Sequence, residues 1–517
     1  MRTSVPTSSP QPDATADEGR YLALKARDAR FDGRFFTGVT STGIYCRPVC
    51  AVRTPRRENC RFFTLAAQAE SAGFRPCLRC RPELAPQALV WSVQDASGIL
   101  VRQAVRLLAS PDFWGGAAPS EGAVARLAAR LGVSDRHLRR IFEATLGVSP
   151  LQYLQTQRLL AAKQLLADTA LPITQVALAS GFASVRRFNA AFATHYGISP
   201  TAVRRAGTAR AGDEGALVRL GYRPPLDAAA LLAFFAQRQI AGMEWVEPGE
   251  ALVLRRTVRI AHAGTVATGW LNAQFEPARH RLVLQTSDSL HPVLPLVIAR
   301  VRALLDLDAD PEAINATLHA HFPHGDGLRV PGAFDGFELA VRAVLGQQIT
   351  VAAARTLAQR LVERFGAPLA TPWAQLTRLF PAPAVLAEAD GDALGQLGIV
   401  RQRQAAIVAL ARAVGSGQLQ LHSSADVGAT TAQLCQLPGI GDWTAQYIAM
   451  RALRWPDAFP SGDVALHKAL AVQGEKSPAR AAAEASLAWQ PWRSYAVIRA
   501  WAGSQGPAQG TVKLSNQ

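Results

Sequence analysis

Four of the six cysteines in this 517-residue chain fall into two tight pairs, Cys46-Arg-Pro-Val-Cys50 and Cys77-Leu-Arg-Cys80, with 26 residues between them. Thiolates on paired knuckles of this kind make a tetrahedral four-sulfur site for zinc. Two disulfides are the alternative use of the same residues. The N-terminal stretch lacks the apolar run of a secretion signal. No segment reaches the ~18 uninterrupted apolar residues of a membrane span. A cytoplasmic, reducing location with no membrane partner is therefore expected, and there metal binding is favoured over oxidation. Cys60 and Cys435 fit neither pair and read as small buried hydrophobes.

The net charge is +16 and the pI about 10.3, which points to a polyanionic partner. The excess is uneven. Residues 1–210 carry 28 Lys and Arg against 14 Asp and Glu, whereas the remaining residues carry 27 against 25. The front of the chain is suited to holding nucleic acid by charge. The rear must bind it, if at all, through local geometry.

The elements that position these residues can be read in order. Residues 1–18 are rich in Ser, Pro and Thr and are expected to be disordered. Residues 19–87 hold the cysteine pairs. A Pro/Gly-rich break at 110–120 precedes a helical, Ala/Leu-rich stretch over 123–205. Within it, Leu131-Gly-Val-Ser134 reads as a helix end, a glycine turn and a serine N-cap, hence a helix-turn-helix. A second copy surrounds Gly181, 49 residues after Gly132, and a long amphipathic helix near 151–166 joins the two. The recognition helices are predicted to start at Ser134 and Ser184. They would present Arg136, His137, Arg139 and Arg140 from the first and Arg186, Arg187 and Asn189 from the second. Arg and Asn are the side chains that read guanine and adenine edges in the major groove. Residues 207–216 read as a linker, 217–330 as a mix of strands and helices, and 331–505 as helical, with a flexible tail at 506–517. In the last block, Leu437-Pro-Gly-Ile-Gly-Asp-Trp-Thr-Ala445 is a helix-hairpin-helix turn. Its glycines, Gly439 and Gly441, let backbone amides approach a DNA phosphate.

Three resemblances sharpen this outline. The sequence around the cysteines, with Phe31-Asp-Gly-Arg-Phe-Phe36, Thr42-Gly-Ile-Tyr-Cys-Arg-Pro48, Asn59-Cys-Arg-Phe-Phe63 and Ala72-Gly-Phe-Arg-Pro-Cys-Leu-Arg-Cys-Arg-Pro-Glu83, resembles the N-terminal domain of Ada-type adaptive-response proteins. The resemblance implies that Cys46 accepts a methyl group from a methylated DNA phosphate, with Cys50, Cys77 and Cys80 as its zinc partners. It also sets Thr42, Arg53 and Arg79 near the DNA backbone. The paired helix-turn-helix units, in a domain read over 88–206 and closing on Tyr196-Gly-Ile-Ser-Pro-Thr-Ala-Val-Arg204, resemble the AraC-type DNA-binding domain. Residues 217–501, with the hairpin, Ala340-Val-Arg-Ala-Val-Leu-Gly-Gln-Gln-Ile-Thr350, Phe459-Pro-Ser-Gly-Asp-Val464 and Pro491-Trp-Arg-Ser-Tyr-Ala-Val-Ile-Arg-Ala-Trp501, resemble AlkA-type DNA-3-methyladenine glycosylases. There Asp463 falls on the catalytic aspartate, an N-cap being the plain alternative for such a residue. Trp443, Tyr447 and Trp501 fall on pocket aromatics and Gln348 on the wedge that enters the duplex. The resemblance also leaves room for a monovalent cation at the hairpin turn.

Two departures from relatives in that superfamily matter. Trp443 stands where bifunctional lyases carry a lysine, and no cysteine follows Cys435. Both imply a monofunctional glycosylase without a Schiff base or an iron–sulfur cluster. No Pro-Cys-His-Arg motif of guanine-O6 methyltransferases is present. The expected protein is multidomain α+β: a small zinc-binding α/β domain, an all-α double helix-turn-helix domain, a mixed α+β subdomain and an all-α helix-hairpin-helix domain. It would be a bacterial, nucleoid-associated monomer. It would take methyl groups from phosphotriesters once, activate repair genes with RNA polymerase as partner, and excise 3-methyladenine-type bases. Its partner is double-stranded DNA, both damaged and promoter. The alternatives are a regulator whose rear half only binds DNA, and a glycosylase whose front half only tethers it.

Overall fold

Each cysteine pair is set by a strand. The computed structural model describes residues 14–87, 96–114, 122–206, 215–262 and 264–505. The first sheet contains β1 (Phe36–Val39), β2 (Ile44–Cys46), β3 (Cys60–Phe63) and β4 (Arg75–Pro76), in the order β3-β1-β2-β4. β1 is antiparallel to both β2 and β3, while β2 runs parallel to β4. β2 therefore ends on Cys46 exactly where β4 delivers Cys77, and the Cys77 amide donates to the Tyr45 carbonyl at 3.0 Å. A helix over Ala14–Ala26 covers part of this unit. It begins inside the segment expected to be disordered, so residues 14–18 are corrected to helix; residues 1–13 lie outside the described residues.

The helix-turn-helix reading holds at each punctuation mark. Helix Ala123–Arg130 ends before Gly132, whose φ is 67°, and Ser134 caps helix Asp135–Leu146 by accepting from the His137 amide. The second unit repeats this with helix Ile173–Ala179, Gly181 at φ 80°, and Ser184 capping helix Val185–Tyr196. Both recognition helices stop at a left-handed glycine, Gly147 and Gly197. Such a residue accepts positive φ without the Cβ penalty. The joining helix spans Pro150–Asp168 and is buried on more than one face. Much of the break at 110–120 and of the linker at 207–216, like the tail at 506–517, falls outside the described residues.

The second sheet holds β5 (Ala216–Gly221), β6 (Glu244–Val246), β7 (Val253–His262), β8 (Thr265–Glu276) and β9 (Arg281–Thr286), in the order β5-β9-β8-β7-β6. All of its pairings are antiparallel. Its apolar face shares one core with the second helix-turn-helix unit: Phe188, Phe192 and Tyr196 pack in the same cluster as Val218, Leu220 and Leu282. The first unit has its own core around Leu127, Leu138 and Phe142. The duplicated halves are thus unequal partners of the rest of the chain. Beyond residue 330 the described elements are helices, enclosing two further cores.

Candidate metal centre, DNA interface and active site

The four sulfurs converge. Cys46, Cys50, Cys77 and Cys80 place their Sγ atoms within 4.8 Å of one another. A tetrahedral zinc with bonds of ~2.3 Å needs its sulfurs ~3.8 Å apart, so the donor set fits the ion. All six cysteines are free in the structure, and the four of the two pairs share one cluster. Hydrogen bonds inside the cluster pull the Cys77 thiol far below its usual range and Cys50 to about 7, both through Cys46, while Cys46 and Cys80 are pushed up. Four thiolates cannot coexist at this spacing without a cation. Around them, the Arg47 amide donates to Cys80 Sγ at 3.3 Å, and its guanidinium pairs with buried Asp32 and donates to the Cys80 carbonyl at 3.0 Å. Cys60 is buried as expected. Cys435 is exposed, contrary to expectation. It lies one step round helix Val427–Gln436 from fully buried Leu434 and so faces outward.

Thr42, Arg53 and Arg79 are all exposed. On the first recognition helix Arg136, Arg139 and Arg140 are exposed and His137 is half-buried; on the second, Arg186, Arg187 and Asn189 are exposed. Arg139 is held by Asp135 at 2.6 Å, and Arg140 lies 3.2 Å from the His137 ring nitrogen.

In the rear half, Asp463 ends a short loop and caps helix Val464–Ala469. Its Oδ1 accepts from the Leu466 amide at 2.7 Å and from Trp501 Nε1 at 3.1 Å, and its Oδ2 accepts from Trp443 Nε1 at 3.0 Å. The capping role and a site role therefore coincide in one residue. The carboxylate is fixed by neutral N–H donors and carries no bonded cation among its described contacts. It opens on a cavity of about 630 Å³ whose walls include Phe234, Arg238, Trp443, Tyr447 and Trp501. Tyr447 stacks on Trp443 with centroids 5.4 Å apart and rings 15° from parallel. Burial pushes the Tyr447 hydroxyl up, but the neighbouring Arg451 and Arg238 guanidiniums outweigh it and hold it below the ordinary phenol value. Arg451 is anchored to the Pro331 carbonyl at 2.8 Å and donates to the Tyr447 oxygen.

Gly439 has a φ of 73°, and Gly441 caps helix Asp442–Arg451 without a side chain over its first amides. Gln348 is exposed with a φ of 54°, at the tip between helices Gly336–Leu345 and Val351–Phe365. Its neighbour Gln347 donates to the Gly439 carbonyl at 2.9 Å and to Thr444 Oγ1 at 3.0 Å, tying that tip to the hairpin. Sequence reasoning missed Gln347, Phe234, Arg238 and Arg451. Gln347 lies just beyond the buried helix Gly336–Leu345, and a polar residue directly after that apolar run was the available sign. Phe234 and Arg238 come from helix Ala228–Arg238 of the mixed subdomain and have no local motif.

A sulfur knuckle, a pair of helix-turn-helix units and a helix-hairpin-helix pocket with a fixed carboxylate define a DNA-damage-response protein of mixed regulatory and repair type. The family models agree in order along the chain. The metal binding domain of Ada matches residues 19–83, a helix-turn-helix domain 127–206, the AlkA N-terminal domain 217–335, and the HhH-GPD superfamily of base excision DNA repair proteins 341–492. The probable bifunctional transcriptional activator/DNA repair enzyme AlkA of Mycobacterium tuberculosis is 38% identical over 94% of this chain and 96% of its own length. DNA-3-methyladenine glycosylase 2 of Escherichia coli is 34% identical over 54% of this chain and 95% of its own. The Escherichia coli bifunctional transcriptional activator/DNA repair enzyme Ada is 37% identical over 28% of this chain and 36% of its own. This chain belongs to the family of bifunctional Ada/AlkA-type transcriptional activators and DNA repair glycosylases. No helix among the described residues is long and apolar enough to cross a membrane.

Proposed function

We propose that the front half removes methyl groups from DNA methylphosphotriesters and the rear half hydrolyses the N-glycosidic bond of alkylated bases such as 3-methyladenine, without lyase activity. The observation that carries this reading is the presence in one chain of two differently built charge sites, the four converging sulfurs and the indole-held Asp463.

Zinc, when bound, keeps the cysteine sulfurs as thiolates at neutral pH. The Cys46 sulfur lone pair forms the new S–CH3 bond as the C–O bond breaks, and that electron pair stays on the phosphate oxygen, restoring the diester anion. The resulting thioether has no route back, so each molecule accepts one methyl. The cluster then carries about one negative charge fewer. Removing it about 5 Å from a phosphate is worth roughly 3 kcal/mol at an effective dielectric near 20, before salt screening. That corresponds to ~10- to 100-fold tighter promoter binding, which turns repair of the backbone into activation of repair genes through RNA polymerase. Thr42, Arg53 and Arg79 would face the backbone, and the exposed arginines and Asn189 of the recognition helices would read the groove.

At the rear, Gly439 and Gly441 would hold a phosphate, with a monovalent cation at the same turn, and Gln348 would fill the space of the flipped base. Trp443, Tyr447 and Trp501 offer π faces to an electron-poor base. As the C1′–N bond breaks and its electron pair leaves with the base, positive charge grows on the sugar. Asp463 stabilises that charge and orients the attacking water. Trp443 supplies no amine, so the product is an intact abasic site.

The protein would act as a cytoplasmic, nucleoid-associated monomer. The test uses methylated duplex DNA with the wild-type chain, Cys46→Ser and Asp463→Asn. Cys46→Ser should lose methyl uptake and keep base release; Asp463→Asn should do the reverse; borohydride should trap no adduct. Trapping of the chain on DNA, or base release by Asp463→Asn at the wild-type rate, would overturn the reading.

A further inference from the structure

The helix Ala66–Ser71 of the cysteine unit carries Glu70, whose side chain is 1% exposed. A buried carboxylate must be matched by donors, and here all of them come from elements outside its own helix. Oε1 accepts from the Tyr45 hydroxyl at 2.9 Å. Oε2 accepts from Thr156 Oγ1 at 2.6 Å and faces His195 Nε2 at 2.6 Å. Tyr45 is fully buried, immediately precedes Cys46 on β2, and holds the Cys77 amide through its carbonyl. Thr156 belongs to the helix joining the two helix-turn-helix units. His195 lies in the last turn of the second recognition helix. One carboxylate therefore bridges the strand bearing the methyl-acceptor cysteine, the joining helix and the recognition helix.

The surrounding contacts point the same way. Leu160 of the joining helix fills the core of the cysteine unit beside Tyr45 and Phe74. Lys163 of the same helix donates to the Cys77 carbonyl at 3.3 Å and to Glu83 at 2.5 Å. Arg81, next to the ligand Cys80, grips Asp168. Meanwhile the other end of the recognition helix, with Arg186, Arg187 and Asn189, stays exposed.

We propose that Glu70 is a positioning residue that locks the cysteine unit and the second recognition helix into a single DNA-binding body. Two surfaces held at a fixed separation engage one duplex without a further ordering cost, whereas two loosely joined ones must be ordered on binding. The inference rests on the proposed reading that both surfaces contact DNA. Glutamine at position 70 keeps the shape but leaves only one acceptor oxygen for the hydroxyls and the ring. The groups facing the Glu70–His195 pair are Tyr45, Thr156 and Tyr196, with Glu83 beyond them.

The experiment compares the zinc-loaded full chain with Glu70→Gln, His195→Gln and the double variant. Zinc content and methyl transfer to Cys46 serve as controls of an intact cysteine unit. Amide hydrogen exchange over 185–196 reports the locking directly, and His195 titration by NMR reports the pair. Affinity is measured for a duplex selected from a random pool by the wild-type protein. Each single variant should speed exchange over 185–196 and weaken the selected duplex about tenfold, and Glu70→Gln should also lower the His195 midpoint. The double variant should be no weaker than Glu70→Gln alone, because the contact to His195 is already broken there. Unchanged exchange in 185–196, or additive losses in the double variant, would overturn the proposal. If the wild type transfers methyl yet selects no sequence, the regulator reading fails, and the exchange result still decides whether Glu70 locks the helix. His195→Gln covers the case in which Glu70→Gln does not fold.

Discussion

The two chemical sites solve opposite electrostatic problems. At the front, four sulfurs are packed within 4.8 Å of one another and need a cation to be thiolates together. At the rear, one carboxylate is held by two indole N–H groups and one amide, with no counter-ion bonded to it among the described residues. A nucleophile that is consumed needs activation once. A carboxylate that stabilises charge on every turnover must instead stay ionised, in place and unreacted. Neutral donors fix the position of Asp463 without cancelling the charge that, on the proposed reading, it would offer to the sugar. The overall charge follows the same division, with 28 basic against 14 acidic residues in 1–210 and 27 against 25 in the rest. On the proposed reading, the front would hold DNA by field and the rear by a turn and a pocket.

The sharpest way to break this contrast is at Cys46. Cys46→Ser should abolish methyl uptake, measured as methyl per protein by mass spectrometry, and should weaken zinc binding. Base release should be unchanged, and a coupled loss would mean the sites are not independent. Next in size is Asp463→Asn, which keeps the shape and removes the charge. Base release should fall at least about 100-fold, on the order of 3 kcal/mol of transition-state stabilisation, with DNA affinity retained.

Smaller again are the indoles. Trp443→Phe and Trp501→Phe each remove one donor to Asp463, and a hydrogen bond to a charged group is worth ~1.5–3 kcal/mol. Each should lower base release about tenfold, in single-turnover assays, without touching methyl uptake. Wild-type rates in both would show that the indoles serve only as pocket walls.

How much of this was legible in the sequence depended on how local the feature was. Each cysteine pair, the Gly132 and Gly181 turns with their serine caps, and the hairpin around Gly439 are written within a dozen residues, and the structure places them as read. Asp463 was legible only through resemblance, because a lone aspartate before a helix looks like any N-cap. Its indole partners lie 20 and 38 residues away in sequence. Phe234 and Arg238 reach the cavity from another subdomain, and Glu70 meets His195 across 125 residues. Such contacts leave no period or spacing to read. Cys435 was misjudged because residue type favoured burial, whereas its side of the helix faces solvent. Residues 14–18 were misjudged by their proximity to a Ser/Pro-rich stretch, although Ala14-Thr-Ala-Asp-Glu18 itself lacks Pro and Gly and sustains a helix.

The smallest expected effect is a pH dependence confined to the front. The Glu70 carboxylate raises the His195 pKa above its ordinary 6.5 by hydrogen bonding, and burial only partly opposes it. A raised value means the protonated ring is favoured in the folded state. The contribution is thus complete below the ordinary value and is lost as pH rises through the raised one. Exchange protection over 185–196 should therefore decline across that window above 6.5, while base release follows an independent profile. A decline on acidification instead would reverse the sign of the Glu70–His195 contact.

The contrast between a consumed site and a renewed one is tested most directly by following both reactions in one tube. A single preparation of the zinc-loaded chain is given a large excess of DNA carrying both methylphosphotriesters and methylated bases. Methyl on Cys46 and free base are then counted against protein over time. Methyl uptake should rise to one per chain and stop, while base release continues linearly past many per chain. Methyl transfer beyond one per chain, or base release that halts when Cys46 is filled, would contradict the account.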